Sequence, residues 1–283
     1  MGEIGFHWMG GEAPMTTLVR ELMRSGLITC AKGISLGEAA ALLTRHRVHA
    51  LVVVDDAGRP AGILSDFDLL AGEWLSADAE SLAAMRRMTA GELMSTPLNT
   101  IEADRPIRAA ADRMRDRALH RLIVTEDDTP VGVLSLSDFV AHLAAQEPSE
   151  RATVGDVMSY AMLVCREETP ALEVARGLTD TRFRSVVVVD AGGQLRGMIS
   201  VGDFLGCIDG ESCAAKSAAQ IMHNASTIGR AATLQQAATQ MIEHHLHRLV
   251  VVDPGSPDAL PLGIISSYDI VNAMARPGSV WRT

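Results

Sequence analysis

Several chemistries are excluded by what this sequence lacks. Its four cysteines, Cys30, Cys165, Cys207 and Cys213, show none of the paired spacings of a zinc site or a disulfide framework, so reduced structural thiols are expected. No apolar run approaches the roughly 20 residues that a membrane span requires. The N-terminus, MGEIGFHWMGGEAP, has neither the basic start nor the apolar stretch of a signal peptide, and Phe6 breaks the myristoylation pattern. A cytoplasmic protein without a membrane partner is expected. Positive charge is also short: 25 Lys and Arg face 35 Asp and Glu, a net charge of −10. That balance opposes a general nucleic-acid surface, so any bound phosphate must find a local basic pocket. Nucleophile elbows, glycine-rich phosphate loops and catalytic carboxylate pairs are missing too, so no enzyme and no cofactor are expected.

What is present is a well-filled core, with 47% hydrophobic residues over 283 positions, and a repeat. The stretch GILSDFD, residues 62–68, returns as GVLSLSD at 132–138, GMISVGD at 197–203 and GIISSYD at 263–269. The opening glycines, 62, 132, 197 and 263, are separated by 70, 65 and 66 residues. A second marker keeps nearly the same period: short helix starts ending in Met23, Met94, Met158 and Met222 (VRELM, AGELM, VGDVM, AAQIM). A Ser followed three places later by an acid is a helix capping box, and a single copy would be no more than that. Four copies at one period require a further explanation.

Within each copy the hydrophobic period changes in the same order. A short strand (GLITC, PLNTI, AMLVC, ASTIG) precedes an Ala- and Leu-rich helix. A continuous β-branched run follows (ALVVVDD, RLIVTED, SVVVVDA, RLVVVDP), then a polar turn, a return strand and a final helix opening at Ser-x-x-Asp. The fold class is α/β, built from four β-α-β-β-α units over residues 16–75, 88–146, 151–209 and 215–277. Each unit is too small to be comfortable alone, and its middle strand is apolar on both faces, so the neighbouring unit is its expected cover. The polar break AAQEPSERAT, 144–153, divides the chain into modules 16–146 and 151–277. The linker AGEWLSADAESLAAMRRM of the first module reads as helical.

Four such units, each with an x-x-x-h-M start and a terminal G-h-x-S-x-x-D, resemble tandem cystathionine-β-synthase (CBS) domains paired as two Bateman modules. The four-repeat γ regulatory subunits of AMP-activated protein kinase are similar in having four such repeats and a basic pair ahead of an apolar strand like HRLVVVD, His247 to Asp253. The resemblance covers about residues 16–277 and implies a disc-like assembly that binds adenosine-containing nucleotides, AMP, ADP or ATP, and regulates a partner protein. In that family the motif aspartate accepts the ribose hydroxyls and its Ser contacts ribose or phosphate, which marks Ser135, Ser137, Asp138, Ser266 and Asp269, with Ser65, Asp68, Ser200 and Asp203 ranked lower. The chemistry stands without the family, because a carboxylate is an acceptor whose two oxygens match two adjacent hydroxyls.

A phosphate needs cations away from that carboxylate, and basic residues precede every middle strand: RHRVH, RALHR, TRFR and HHLHR. The outer ones, Arg45, Arg117 and His244, also suit a helix C-terminus. The inner position is always His or Arg: His49, His120, Arg184 and His247. The resemblance implies that these hold phosphates. The next position is Arg121 and Arg248 in repeats 2 and 4, but Ala50 and Ser185 in repeats 1 and 3, so unequal sites are expected. The His244–His247 run lacks a carboxylate or cysteine to complete a metal site. A ligand-independent interaction scaffold, or binding of S-adenosylmethionine or NAD, stays open, as does completion of the assembly by one chain or a homodimer.

Overall fold

The computed structural model describes residues 17–71, 87–146, 152–207, 215–253 and 260–276. In repeat 1 a front strand, Thr29–Ala31, leads to a helix, Leu36–His46, capped by Ser35 with Glu38 reaching back to it. A middle strand, Ala50–Val54, and a return strand, Pro60–Ser65, follow, and an end helix, Asp66–Ala71, closes the unit. Front and middle strands are parallel; middle and return strands are antiparallel, with a bulge at the Val53/Val54 step. The same order recurs with middle strands Arg121–Glu126, Ser185–Val189 and Arg248–Val252, and each of the four sheets carries a bulge between its middle and return strands. Buried Val and Leu on both faces explain the continuous apolar runs.

Repeat 3 departs from the expected pattern at its end. Val201–Cys207 is a 3-10 helix rather than an α-helix. Its sequence, VGDFLGC, places Gly202 and Gly206 within seven residues, and glycine is the weakest α-helix former after proline. The predicted linker helix, from 72 to 86, and residues 147–151 of the 144–153 break lie outside the described residues.

The two sequence markers meet in space. Each helix-start methionine, with the residue after it, crosses the return strand of the other repeat in its module. Arg24–Ser25 adds a strand to the repeat 2 sheet, while Ser95, Ser159 and His223 bridge to Ile63, Ile264 and Met198. The motif glycines are what this approach requires. A Cβ at Gly62 would lie 2.6 Å from Met94 Sδ, and one at Gly197 would lie 2.7 Å from the His223 carbonyl. At Gly132 and Gly263 it would collide with the carbonyls of Arg24 and Ser159. The shared period of glycine and methionine thus reflects one contact made four times.

Sheets cover one another within a module, as Val187, Val189 and Met198 do with Val250 and Ile264. Helices provide cover across modules. The end helix of repeat 2, Leu136–Ala144, and its helix Ile107–Asp116 share one core with repeat 4's helices Leu234–Glu243 and Ser267–Met274. Repeat 1 likewise inserts Leu70 and Phe67 into the core of repeat 3. Each repeat therefore touches two others, and the four close into a ring. Among the described residues, no helix is long and apolar enough to cross a membrane.

Candidate functional site

Two halves of the motif lie side by side in every repeat, and the backbone explains why. The residue after the motif serine donates its N–H to the carbonyl of the inner basic residue: Asp66 to His49 at 3.2 Å, Leu136 to His120 at 3.1 Å, Val201 to Arg184 at 3.3 Å and Ser267 to His247 at 2.9 Å. One residue further on, Ala50, Arg121, Ser185 and Arg248 pair directly with Ser65, Ser135, Ser200 and Ser266.

The aspartates do cap their helices, with one oxygen. In all four repeats Oδ2 of Asp68, Asp138, Asp203 or Asp269 accepts from the backbone N–H and hydroxyl of the motif serine, at 2.6–2.8 Å. What else meets each carboxylate differs, because the residue after the helix-start methionine differs. Arg24 Nε lies 3.0 Å from Asp138 Oδ1, and Ser95 Oγ lies 3.4 Å from Asp68 Oδ1. His223 Nδ1 lies 3.2 Å from Asp203 Oδ2. Burial opposes the Asp203 charge, but the His223 and Ser200 hydrogen bonds outweigh it and hold its pKa below the ordinary value. Ser159, which holds the corresponding position for repeat 4, donates its hydroxyl to the Ala161 carbonyl instead, and burial raises the pKa of Asp269 despite the Ser266 bonds. Among the described residues, the repeat 4 carboxylate is the one least engaged from across its module. Arg24, Ser95, Ser159 and His223 were not singled out in the sequence; their signal was the position directly after each marker methionine.

The inner basic residues of all four repeats converge. His49 Nε2 is 2.8 Å from His247 Nε2, His247 Nδ1 is 3.3 Å from Ser137 Oγ, and an Arg248 N–H donates to the Arg184 carbonyl at 2.6 Å. His120 stacks on Tyr268 with ring centroids 5.7 Å apart, and the Arg184 guanidinium lies 5.1 Å over the Phe67 ring. Apart from the Arg248–Arg184 bond, these contacts cross between modules, and three of them follow a rule. The residue before each motif aspartate, Phe67, Ser137 or Tyr268, meets the inner basic residue of the repeat packed against its helix. Repeat 3 has Gly202 there and no side chain to offer.

Three arginines and three histidines thus surround one buried carboxylate, Asp66, which the sequence reading passed over. Burial, followed by repulsion among the cations, depresses the basic groups: His120 to about 3, His247 to about 4, and Arg121 and Arg248 to about 10. Arg121 and Arg248 nevertheless keep part of their surface uncovered, unlike the apolar residues of the packed core. For Asp66, burial favours the neutral acid, but the His49 hydrogen bond and the charges of His49, Arg184 and Arg121 prevail and hold its pKa low. Besides Asp66, the carboxylates of Asp68, Asp203 and Asp269 act on these arginines, and a guanidinium so placed suits oxygen anions as partners. The described residues hold no His, Cys, Asp or Glu group arranged for a metal ion.

Comparison with known proteins agrees with the repeat geometry. The CBS domain model matches residues 19–73, 90–145, 154–210 and 218–276. The chain belongs to the CBS-domain family. A solved Methanocaldococcus jannaschii protein, put forward as an archaeal homologue of γ-AMPK, superposes with a TM-score of 0.81 at 18% identity, covering 92% of this CBS chain and all of its own. Hypoxic response protein 1 of Mycobacterium tuberculosis is 27% identical over 127 residues, 45% of this chain and 85% of the relative. The chloroplastic CBSX2 of Arabidopsis thaliana is 25% identical over 182 residues, 64% of this chain and 58% of the relative. Some curated relatives are much longer. The chain spans 32% of an uncharacterized Methanocaldococcus jannaschii protein and 22% of that organism's L-aspartate semialdehyde sulfurtransferase.

Proposed function

We propose that this CBS chain is a non-catalytic regulatory sensor of adenosine-containing nucleotides. Tandem CBS proteins are generally regulatory, and the central cation cluster carries the specific reading. One His or Arg from each repeat, reinforced by Arg121 and Arg248, meets at the centre of the ring, and a Ser-x-x-Asp helix start stands beside each of them. In this reading Ser135, Ser137, Asp138, Ser266 and Asp269 hold ribose and phosphate with His120, Arg121, His247 and Arg248. Ser65, Asp68, His49, Ser200, Asp203 and Arg184 form the weaker positions. Asp269 is the most open ribose acceptor. The ligand is AMP, ADP or ATP, because the arginines add a phosphate requirement to what an aspartate alone would read. Binding shifts the balance between arrangements of the two modules, and a partner protein senses that shift.

CBSX2 has been solved with AMP, and a CBS pair from Methanocaldococcus jannaschii with 5′-methylthioadenosine and S-adenosylmethionine, so these ligands define the probes. Melting temperatures should be compared with AMP, ADP, ATP, S-adenosylmethionine and NADH. A ligand at about 100 times its dissociation constant stabilises the fold by about 2.7 kcal/mol. Asp269→Ala should abolish part or all of that response. Unchanged melting with every probe, together with a stability loss of roughly 0.5–2 kcal/mol in Asp269→Ala, would reduce the motif to helix capping and favour a ligand-independent scaffold.

A further inference from the structure

The residue after the motif serine is Leu136 in repeat 2, Val201 in repeat 3 and Ser267 in repeat 4, but it is Asp66 in repeat 1. That single difference puts a carboxylate into the middle of the cation cluster. Asp66 is 3% exposed. Its Oδ2 lies 2.8 Å from His49 Nδ1; its Oδ1 lies 3.3 Å from Arg184 Nη1 and accepts the Phe67 N–H at 2.8 Å. Arg184 belongs to the other module, so this ion pair ties repeat 1 directly to repeat 3. The link extends through His49 to His247 in repeat 4, and from there to Ser137 in repeat 2. The carboxylate is acceptor-only, so His49 Nδ1–H donates to it, and the His49–His247 and His247–Ser137 contacts continue the chain of hydrogen bonds.

Arg184 occupies the inner basic position that the nucleotide reading assigns to phosphate, yet its guanidinium is already engaged by Asp66. A phosphate and a carboxylate offer a guanidinium the same kind of oxygen acceptors, and two anions cannot share it without repelling each other. We propose that Asp66 is an intramolecular stand-in for phosphate. A ligand phosphate binds at the repeat 1–repeat 3 side by displacing Asp66 from Arg184, and that displacement releases the direct tie between the modules. Asp66 then sets both the affinity for phosphate-bearing ligands and the step by which their binding is felt across the ring. The proposal rests on the nucleotide reading and adds to it a competitor encoded in the chain.

The test is calorimetric titration of wild-type protein and Asp66→Asn with AMP and with adenosine, which has the same base and ribose but no phosphate. Removing the competing charge should tighten AMP at least tenfold while adenosine stays within twofold. Asp66→Ser must do the same, and it is the safer variant for folding because repeat 4 carries Ser267 at this position. In parallel, inorganic phosphate should raise the melting temperature of the variants more than that of the wild type. AMP binding of equal or lower affinity in the variants overturns the role of Asp66 and leaves the nucleotide reading standing. Equal gains for AMP and adenosine overturn it as well, since the effect would not depend on phosphate. Failure of wild type and variants alike to bind AMP removes the nucleotide reading itself, and the proposal with it.

Discussion

Repeats 2 and 4 and repeats 1 and 3 face each other through equivalent elements, yet they are joined by different forces. Between repeats 2 and 4 the helices form one continuous apolar core, with Ile107, Met114, Phe139 and Leu143 from one side and Leu234, Met241, Ile270 and Met274 from the other. Repeats 1 and 3 keep separate cores. They meet through Leu70, Phe67 and Leu205, and through the Asp66–Arg184 ion pair. Hydrophobic burial does not depend on direction and is not contested by a polar ligand, whereas an ion pair is lost to any stronger anion. Duplication of one unit has thus produced an apolar seam and one that includes an ion pair, and under the proposed displacement of Asp66 a ligand-driven rearrangement belongs at the second.

The largest expected effect tests that contrast directly. Phe139→Ala, at the seam of repeats 2 and 4, should cost about 3–5 kcal/mol in urea unfolding, because a fully buried ring leaves a cavity. Phe204→Ala, in the smaller core of repeat 3 that Leu70 of repeat 1 enters, should cost less. Equal losses would break the distinction between the seams.

Acid comes next. His120 and His247 have folded pKa values depressed to about 3 and about 4, from an ordinary value of 6.5, by burial first and neighbouring cations second. Below pH 6.5 the unfolded chain protonates these rings while the folded chain resists. Ligand-free stability is therefore complete above 6.5 and falls as pH drops towards 4, by up to about 1.4 kcal/mol per pH unit for each ring. His223 has the opposite sign: its hydrogen bond to Asp203 raises its pKa, so its contribution is complete below pH 6.5 and is lost as pH rises through the folded value. Unfolding followed between pH 8 and 4 should show the acid loss, and His247→Gln should flatten part of it.

The smallest effect sharpens the comparison among ribose ends. Arg24→Ala removes a cation whose side chain is 73% exposed, so stability should move by less than about 1 kcal/mol. Under the sensor reading the same substitution frees Asp138 Oδ1, and nucleotide affinity at repeat 2 should rise in titration. A large loss of stability would make Arg24 a structural clasp instead.

Much of the candidate site was legible because duplication wrote it four times. The motif serines and aspartates, and the inner residues His49, His120, Arg184 and His247, stand at fixed offsets from patterns that periodicity exposes. Residues that make the copies unequal were harder to see. Asp66 occupies a motif position that tolerates Leu, Val or Ser, and nothing local marks it as buried among cations. Arg24, Ser95, Ser159 and His223 follow a recognised methionine, but their relation to the aspartates exists only once that segment crosses the partner's return strand. The 3-10 ending of repeat 3 was in principle readable from Gly202 and Gly206, yet the capping pattern alone predicted an α-helix.

By itself the sequence determined the unit: the order β-α-β-β-α, the glycine that admits a neighbouring backbone, and the serine and aspartate that start the last helix. These depend on interactions a few residues apart, or on a clash that only glycine avoids. Tertiary structure alone decided which repeats face each other and what meets at the centre. His49, His120, Arg184 and His247 are separated by more than 60 residues along the chain, and they converge because the helices bury their apolar faces across modules rather than within them. That packing brings three arginines around one aspartate, and with it the competition that a phosphate would have to win.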